Sequence, residues 1–105
     1  CIVFDPNNSL IAYVGTGESY TAWGTGTNST GRGAGIWKTI DGGLSWNQII
    51  STAGFYYIND IIVRNESGTS VIYAAVDAGS YGGITSGLAS IGIQRSNNGG
   101  KRLFL

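Results

Sequence analysis

The chain contains an internal repeat of about sixty residues, and this repeat constrains its fold more than any other feature. Three short segments recur in the same order. They are residues 2–5 with 61–64, 12–16 with 72–76, and 35–43 with 92–100, at offsets of 59, 60 and 57 residues. The nearly constant spacing predicts one structural unit present twice, with a slightly shorter middle loop in the second copy.

Each unit has the pattern of short antiparallel strands. β-branched stretches such as residues 59–64 and 71–76 are separated by turn-forming residues 65–70. A glycine-rich segment, a further strand, a D-G-G turn and a last strand follow, and no segment has a helical apolar period. The sequence therefore predicts an all-β fold, a β-propeller fragment of about two four-stranded antiparallel blades. We expect the first blade, with an incomplete inner strand, at 1–57 and the second, with a truncated outer strand, at 58–105.

Composition excludes several classes of function. The net charge is zero and only 11% of the 105 residues are charged, which argues against a nucleic-acid partner. No apolar run approaches the roughly 20 residues that cross a bilayer, so no membrane span is expected. The chain has no histidine and a single cysteine, Cys1, which removes the Ser-His-Asp triad and Cys- or His-rich metal sites. Neither a metal nor a cofactor is predicted.

The two ends of the sequence favour a piece of a longer polypeptide. The first residues, C-I-V-F-D-P, are typical of the middle of a strand, and the last, R-L-F-L, stop within a predicted one. Open sheet faces and edges are then expected, and their natural partners are further blades of the same ring.

One segment carries a family resemblance. The stretch T-I-D-G-G-L-S-W (39–46) resembles the Asp-box, or bacterial neuraminidase repeat, S/T-x-D/N-x-G-x-S/T-W/F. Its defined positions are filled by Thr39, Asp41, Gly43, Ser45 and Trp46. The second copy, 96–103, is degenerate: it keeps Ser96, Asn98 and Gly100 but has Arg102 and Leu103 where a hydroxyl and an aromatic residue are expected. With its flanking residues the chain is similar to sortilin/Vps10-type and to xyloglucanase- or sialidase-like propellers of secreted bacterial proteins.

The residue types of this box suit a structural role. Asp41 can accept hydrogen bonds from backbone N–H groups, two glycines permit positive φ, and Thr39 and Ser45 can close the same network. Trp46 can cover the turn with its ring. The resemblance places the box on the side of a propeller away from the usual ligand face, so any ligand is expected opposite it.

The ligand candidates lie in the connections on that opposite side. The long segment 17–34 holds two charges and two aromatic rings, and later connections add two tyrosines, giving Glu18, Tyr20, Trp23, Arg32, Tyr56 and Tyr81. Aromatic faces stack on sugars, and charged groups bind hydroxyls. Tyr20 and Trp23 could instead fill a gap between neighbouring blades.

The leading hypothesis is a non-catalytic repeat segment of a secreted or cell-surface propeller that presents loops to a carbohydrate or protein partner. No catalytic residue is nominated, because Glu18, Asp60 and Asp77 show no spacing that pairs two carboxylates across a glycosidic bond. Two alternatives stay open. In the first, the parent protein is a xyloglucanase- or sialidase-like glycoside hydrolase to which this segment contributes substrate subsites. In the second, it is a sortilin-like peptide-binding propeller. We expect an extracellular, bacterial location.

Overall fold

A computed structural model describes residues 1–17, 33–77, 79–81, 84–86 and 91–100. Over these residues the chain is all-β, with two antiparallel sheets, a two-stranded ribbon and one single-turn 3₁₀ helix. The all-β prediction is confirmed. No α-helix occurs in the described ranges.

Sheet 1 is a four-stranded meander in the order β1-β2-β3-β4. Its strands are β1 (Ile2–Asp5), β2 (Asn8–Gly15), β3 (Ile36–Thr39) and β4 (Asn47–Gln48). The last strand is only two residues long, because the 3₁₀ turn Ile50–Thr52 directs the chain away from sheet 1 toward the next sheet. The sequence does not indicate this turn.

Sheet 2 has the order β5-β6-β9 within the described residues. It consists of β5 (Tyr57–Glu66), β6 (Thr69–Asp77) and β9 (Gly92–Ser96). A ribbon of β7 (Gly79–Tyr81) and β8 (Ile84–Ser86) lies in the connection between β6 and β9, for which the sequence predicts a loop. Asp60 lies inside β5 beside a register shift. The fourth strand expected for this unit would fall in 101–105, outside the described residues.

Strand pairing places equivalent residues of the two units at equivalent positions. In sheet 1 a cross-strand row runs Val3–Tyr13–Lys38, and in sheet 2 the row Ile62–Tyr73–Arg95 has the same register. The neighbouring rows match as well: Phe4–Ala12–Thr39 corresponds to Val63–Ile72–Ser96, and Ile2–Val14–Trp37 to Ile61–Ala74–Gln94. These pairs have the offsets of 59, 60 and 57 residues seen in the sequence.

The core lies between the two sheets, where β1 and β2 pack against β5. Its buried members are mostly aliphatic and come from both sheets and the connection between them: Tyr13, Ile36, Phe55, Ile58, Ile61, Ile72, Ala74 and Val76. Full burial of each large aliphatic side chain stabilises the fold by about 1.5–3 kcal/mol. The sheets approach closely at Gly15, where an added Cβ would lie 2.5 Å from Ile58 Cγ2. Only glycine fits at this position.

The β5–β6 hairpin closes through a turn with two residues in the left-handed region. Ser67 has φ 54° and Gly68 has φ 86°. The Gly68 N–H donates to Asn65 Oδ1 at 2.9 Å, which satisfies one backbone donor of the turn. Two successive positive φ values match the right-handed twist of the flanking strands, as in type I′ turns.

Tyr57 provides a first test of the core. Its side chain is fully buried, and its hydroxyl has no hydrogen-bond partner among the described residues. An unpaired buried hydroxyl carries a desolvation cost, so Tyr57→Phe should raise the free energy of unfolding by about 1 kcal/mol. Urea denaturation followed by circular dichroism measures the change.

Tyr73→Phe is the matched control. The Tyr73 hydroxyl donates to Glu66 Oε2 at 2.6 Å. Removing it should lower the free energy of unfolding by about 1 kcal/mol, the opposite sign. Equal losses of stability in the two variants would contradict the assignment of Tyr57 as unpaired.

Candidate functional site

The connection between β3 and β4 is a turn closed by its own side chains. Thr39 Oγ1 donates to Asp41 Oδ1 at 2.7 Å and accepts from the Gly43 N–H at 2.9 Å. Asp41 accepts from the Ser45 N–H at 2.9 Å through Oδ1, and from Ser45 Oγ at 2.5 Å through Oδ2. The carboxylate therefore bonds to both flanking hydroxyl residues.

Backbone geometry explains the remaining residue types in the turn. Gly42 and Gly43 have φ of 73° and 97°, which side-chain-bearing residues rarely adopt. The Gly42 N–H donates to Leu10 O at 3.0 Å and ties the turn to β2. Trp46 is half-buried, and its Cζ2 lies 4.0 Å from the position that a Cβ on Gly43 would occupy, so the indole lies beside the turn.

These hydrogen bonds change the acidity of Asp41. Donation from the Ser45 hydroxyl and N–H, and then from Thr39, stabilises the charged form and lowers the pKa of Asp41 from 3.8 to about 2. A carboxyl with such a low pKa stays ionised at neutral pH and is a poor proton donor. Its chemistry suits closure of the turn better than acid catalysis.

The turn after β9 repeats part of this arrangement. Ser96 Oγ donates to Asn98 Oδ1 at 2.9 Å and accepts from the Gly100 N–H at 3.0 Å. The turn also contacts the first unit, since Lys38 Nζ donates to Gly99 O at 3.2 Å and Ser51 Oγ donates to Gly100 O at 2.9 Å. The degenerate copy therefore joins the two sheets. Its Arg102 and Leu103 lie outside the described residues.

The ligand candidates on the opposite side are only partly described. Glu18, Tyr20, Trp23 and Arg32 lie outside the described residues. Tyr81 ends β7, and its side chain is not described. Tyr56 is half-buried and follows the 3₁₀ turn. Of the six candidates, Tyr56 is the one whose side chain lies within the described part of the chain.

The residues that flank the 18–32 segment are hydrogen-bonded to one another and to the neighbouring connection. Antiparallel connectivity places Thr16 and Gly35 at the end of sheet 1 opposite the 39–46 turn. Thr16 Oγ1 donates to Gly35 O at 2.6 Å and accepts from the Ala34 N–H at 2.8 Å. The Gly33 N–H donates to Tyr56 O at 2.7 Å, and the Ile58 N–H donates to Thr16 O at 3.1 Å. We call these bonds the loop clamp.

Thr52 packs against Gly35, one of the residues of the loop clamp. The sequence does not indicate this role of Thr52. It is fully buried, and its Oγ1 accepts from the Ile36 N–H at 2.8 Å and donates to Ile49 O at 2.7 Å. Gly35, with φ of 76°, approaches so closely that an added Cβ would lie 2.2 Å from Thr52 O. The glycine before β3 is the one local hint of this contact.

A groove lies on the face of sheet 2 that points away from sheet 1. It has a volume of about 330 Å³ and is lined by Asp60, Ile62, Arg64, Tyr73, Ala74, Ala75 and Ile93. Beside it, Arg95 Nη2 lies 3.9 Å from Glu66 Oε1, and the Arg95 guanidinium lies 5.8 Å from the centre of the Tyr73 ring. The sequence pattern does not indicate this surface.

Further properties of the described part limit what a site there can hold. It contains no cluster of three or more Cys, Asp or Glu side chains able to hold a metal ion. None of its helices is long and apolar enough to cross a membrane.

Comparison of the chain with protein-family models, with curated proteins and with solved structures gives no match.

Acid denaturation tests the role of Asp41. Because its pKa is lower in the folded chain than the usual 3.8, its contribution to stability is complete above that value. The contribution is lost as the pH falls toward about 2. Asp41→Asn should lower the melting temperature at neutral pH and flatten its decline over this acid range, as measured by circular dichroism.

Leu44→Ala is the matched control in the same turn, because the Leu44 side chain is 89% exposed. It should keep the acid profile of the unmodified chain. An unchanged profile in Asp41→Asn would contradict the assigned hydrogen-bond network.

Proposed function

We propose that this chain is a non-catalytic repeat segment of a secreted or cell-surface β-propeller, and that it presents loops to a carbohydrate or protein partner. The loops are the 18–32 segment and the neighbouring connection that contains Tyr56. The Thr39–Trp46 turn acts as an Asp-box, a structural element at the opposite end of sheet 1.

The loop clamp is the observation that carries this proposal. Four hydrogen bonds no longer than 3.1 Å hold Thr16, Gly33, Ala34 and Ile58 at the base of the 18–32 segment. Gly33 adds to the restraint, because a Cβ there would lie 2.4 Å from the backbone of Thr16 and Gly17. A long segment on a fixed base is typical of binding loops that a rigid scaffold positions.

The division of polar groups between the two ends of sheet 1 supports the same proposal. At the turn end, both carboxylate oxygens of Asp41 accept hydrogen bonds from Thr39 or Ser45. The 18–32 segment, whose flanking residues lie at the clamp end, contains Glu18, Tyr20, Trp23 and Arg32 in its sequence. A segment with aromatic rings, a carboxylate and a guanidinium suits sugars, which offer C–H faces and hydroxyl groups.

A glycan array is the direct test, with Trp23→Ala against Leu44→Ala as the matched pair. If Trp23 stacks on the ligand, its removal should weaken binding about tenfold or more without lowering the melting temperature. Leu44→Ala changes an exposed side chain at the other end of the sheet and should bind like the unmodified chain.

Two outcomes would favour the other functions. Release of reducing sugar by the protein, abolished by Glu18→Gln in a folded variant, would assign it to the xyloglucanase- or sialidase-like hydrolases. Capture of a peptide with no glycan signal would favour a sortilin-like receptor. A loss of binding in Leu44→Ala equal to that in Trp23→Ala would contradict the location of the site.

A further inference from the structure

The repeat relates sheet 1 to sheet 2, so the outward face of each sheet has an equivalent face in the other sheet. Those two equivalent faces pack against each other between the sheets. The outer face of sheet 1 is formed by Ile2, Phe4, Val14 and Trp37, which alternate along the strands with residues that point toward sheet 2. The outer face of sheet 2 is formed by Arg95 and the groove residues other than Ala74, whose side chain belongs to the core between the sheets. Their equivalents in the other sheet lie at the contact between the sheets.

The equivalence can be followed row by row. On the outer face of sheet 2, the row Ile62–Tyr73–Arg95 corresponds to Val3–Tyr13–Lys38, the row of sheet 1 that faces sheet 2. On the outer face of sheet 1, the row Phe4–Ala12–Thr39 corresponds to Val63–Ile72–Ser96, the row of sheet 2 that faces sheet 1. Each outer face therefore has the residue pattern of one half of a formed interface.

Exposure shows which positions lack a covering sheet. Ile36 is fully buried between the sheets, whereas its equivalent Ile93 is 56% exposed. In the same way Ile61 is 3% exposed, whereas its equivalent Ile2 is 60% exposed. Phe4 at 63% and Ile62 at 49% add two further apolar side chains to these faces. Exposed apolar residues grouped on one face are typical of an interaction surface.

The polar rim follows the same pattern. In the contact between the sheets, Lys38 lies 5.5 Å from the centre of the Tyr13 ring and its Nζ donates to Gly99 O. On the open face Arg95 lies over the Tyr73 ring in the same way. Since Gly42 is the equivalent of Gly99, an incoming sheet 1 would bring the Gly42 carbonyl toward Arg95.

We propose that the outer face of sheet 2 binds the outer face of sheet 1 of a second copy of this chain. The structure favours a second copy as the occupant, because a second copy carries the outer face of sheet 1. The equivalents of these two outer faces already pack against each other within one chain. The contact is heterologous: each copy offers one face of each kind. Such association closes into a ring or grows as an open stack. It does not depend on what the 18–32 segment binds.

The match is incomplete at several positions. Ala75 stands where Gly15 permits a close approach of the sheets. Leu10 stands where Ser70 donates to Asp5 Oδ1 at 2.6 Å and accepts from Asn7 Nδ2 at 2.9 Å, and Arg64 stands where Asp5 accepts. The contact between copies therefore lacks two hydrogen bonds and one close approach. We expect association to be reversible and to depend on concentration.

Sedimentation velocity tests the proposal with a pair of complementary variants. Phe4→Lys places a charge on the outer face of sheet 1, and Ile62→Lys places one on the outer face of sheet 2. The unmodified chain should sediment above its monomer mass of 11.0 kDa as concentration rises, and each variant alone should stay a monomer. An equimolar mixture should form a species of two chains, since it retains one intact pair of faces.

Leu44→Lys is the control for added charge, because Leu44 is 89% exposed and belongs to neither face. It should associate like the unmodified chain. Circular dichroism confirms folding, and Ile2→Lys replaces Phe4→Lys if that variant is unfolded. A monomeric unmodified chain, a single variant that associates normally, or a mixture that stays monomeric would each overturn the proposal.

Discussion

The close approach of the two sheets at Gly15 and Ile58 is the contact on which the rest of the structure depends. A side chain at Gly15 would occupy the space of Ile58 Cγ2 and separate the sheets. The same point fixes the polar framework, because the Ile58 N–H donates to Thr16 O and Thr16 Oγ1 holds the backbone of the β2–β3 connection. One steric condition therefore determines both the packing of the core and the position of the loop base.

Local patterns account for the features that the sequence predicts well. The strands β1, β2, β5 and β6 coincide with short continuous apolar runs bounded by turn-forming residues, and the repeat relates the strands of one sheet to those of the other. The hydrogen bonds among Thr39, Asp41 and Ser45 also depend on neighbours within seven residues of one another. Such features need no information from distant parts of the chain.

Features that depend on tertiary contacts could not be predicted in this way. Thr52 lies in the 3₁₀ turn through which the chain leaves sheet 1. Its Oγ1 accepts a hydrogen bond from the N–H of Ile36, a residue sixteen positions away. The ribbon of β7 and β8 arises in the glycine- and serine-rich segment 79–86, which has no regular alternation of apolar and polar residues. Tyr57 resembles any core aromatic residue in the sequence, and only its surroundings show that its hydroxyl lacks a partner. For the candidate site, the sequence nominated side chains in 18–32, whereas the clamp that holds the base of that segment is formed mostly by backbone atoms.

The β5–β6 hairpin has a consequence for the order in which the chain folds. Its two strands pair over nine positions and are joined by a two-residue turn, so little loop entropy opposes their pairing. Pairing of β6 with β9 must close a longer connection, and stacking of sheet 1 on sheet 2 brings together residues some sixty positions apart. Among the described strands of sheet 2 this hairpin therefore pairs at the lowest loop-entropy cost, because the left-handed turn at Ser67 and Gly68 joins its two strands directly.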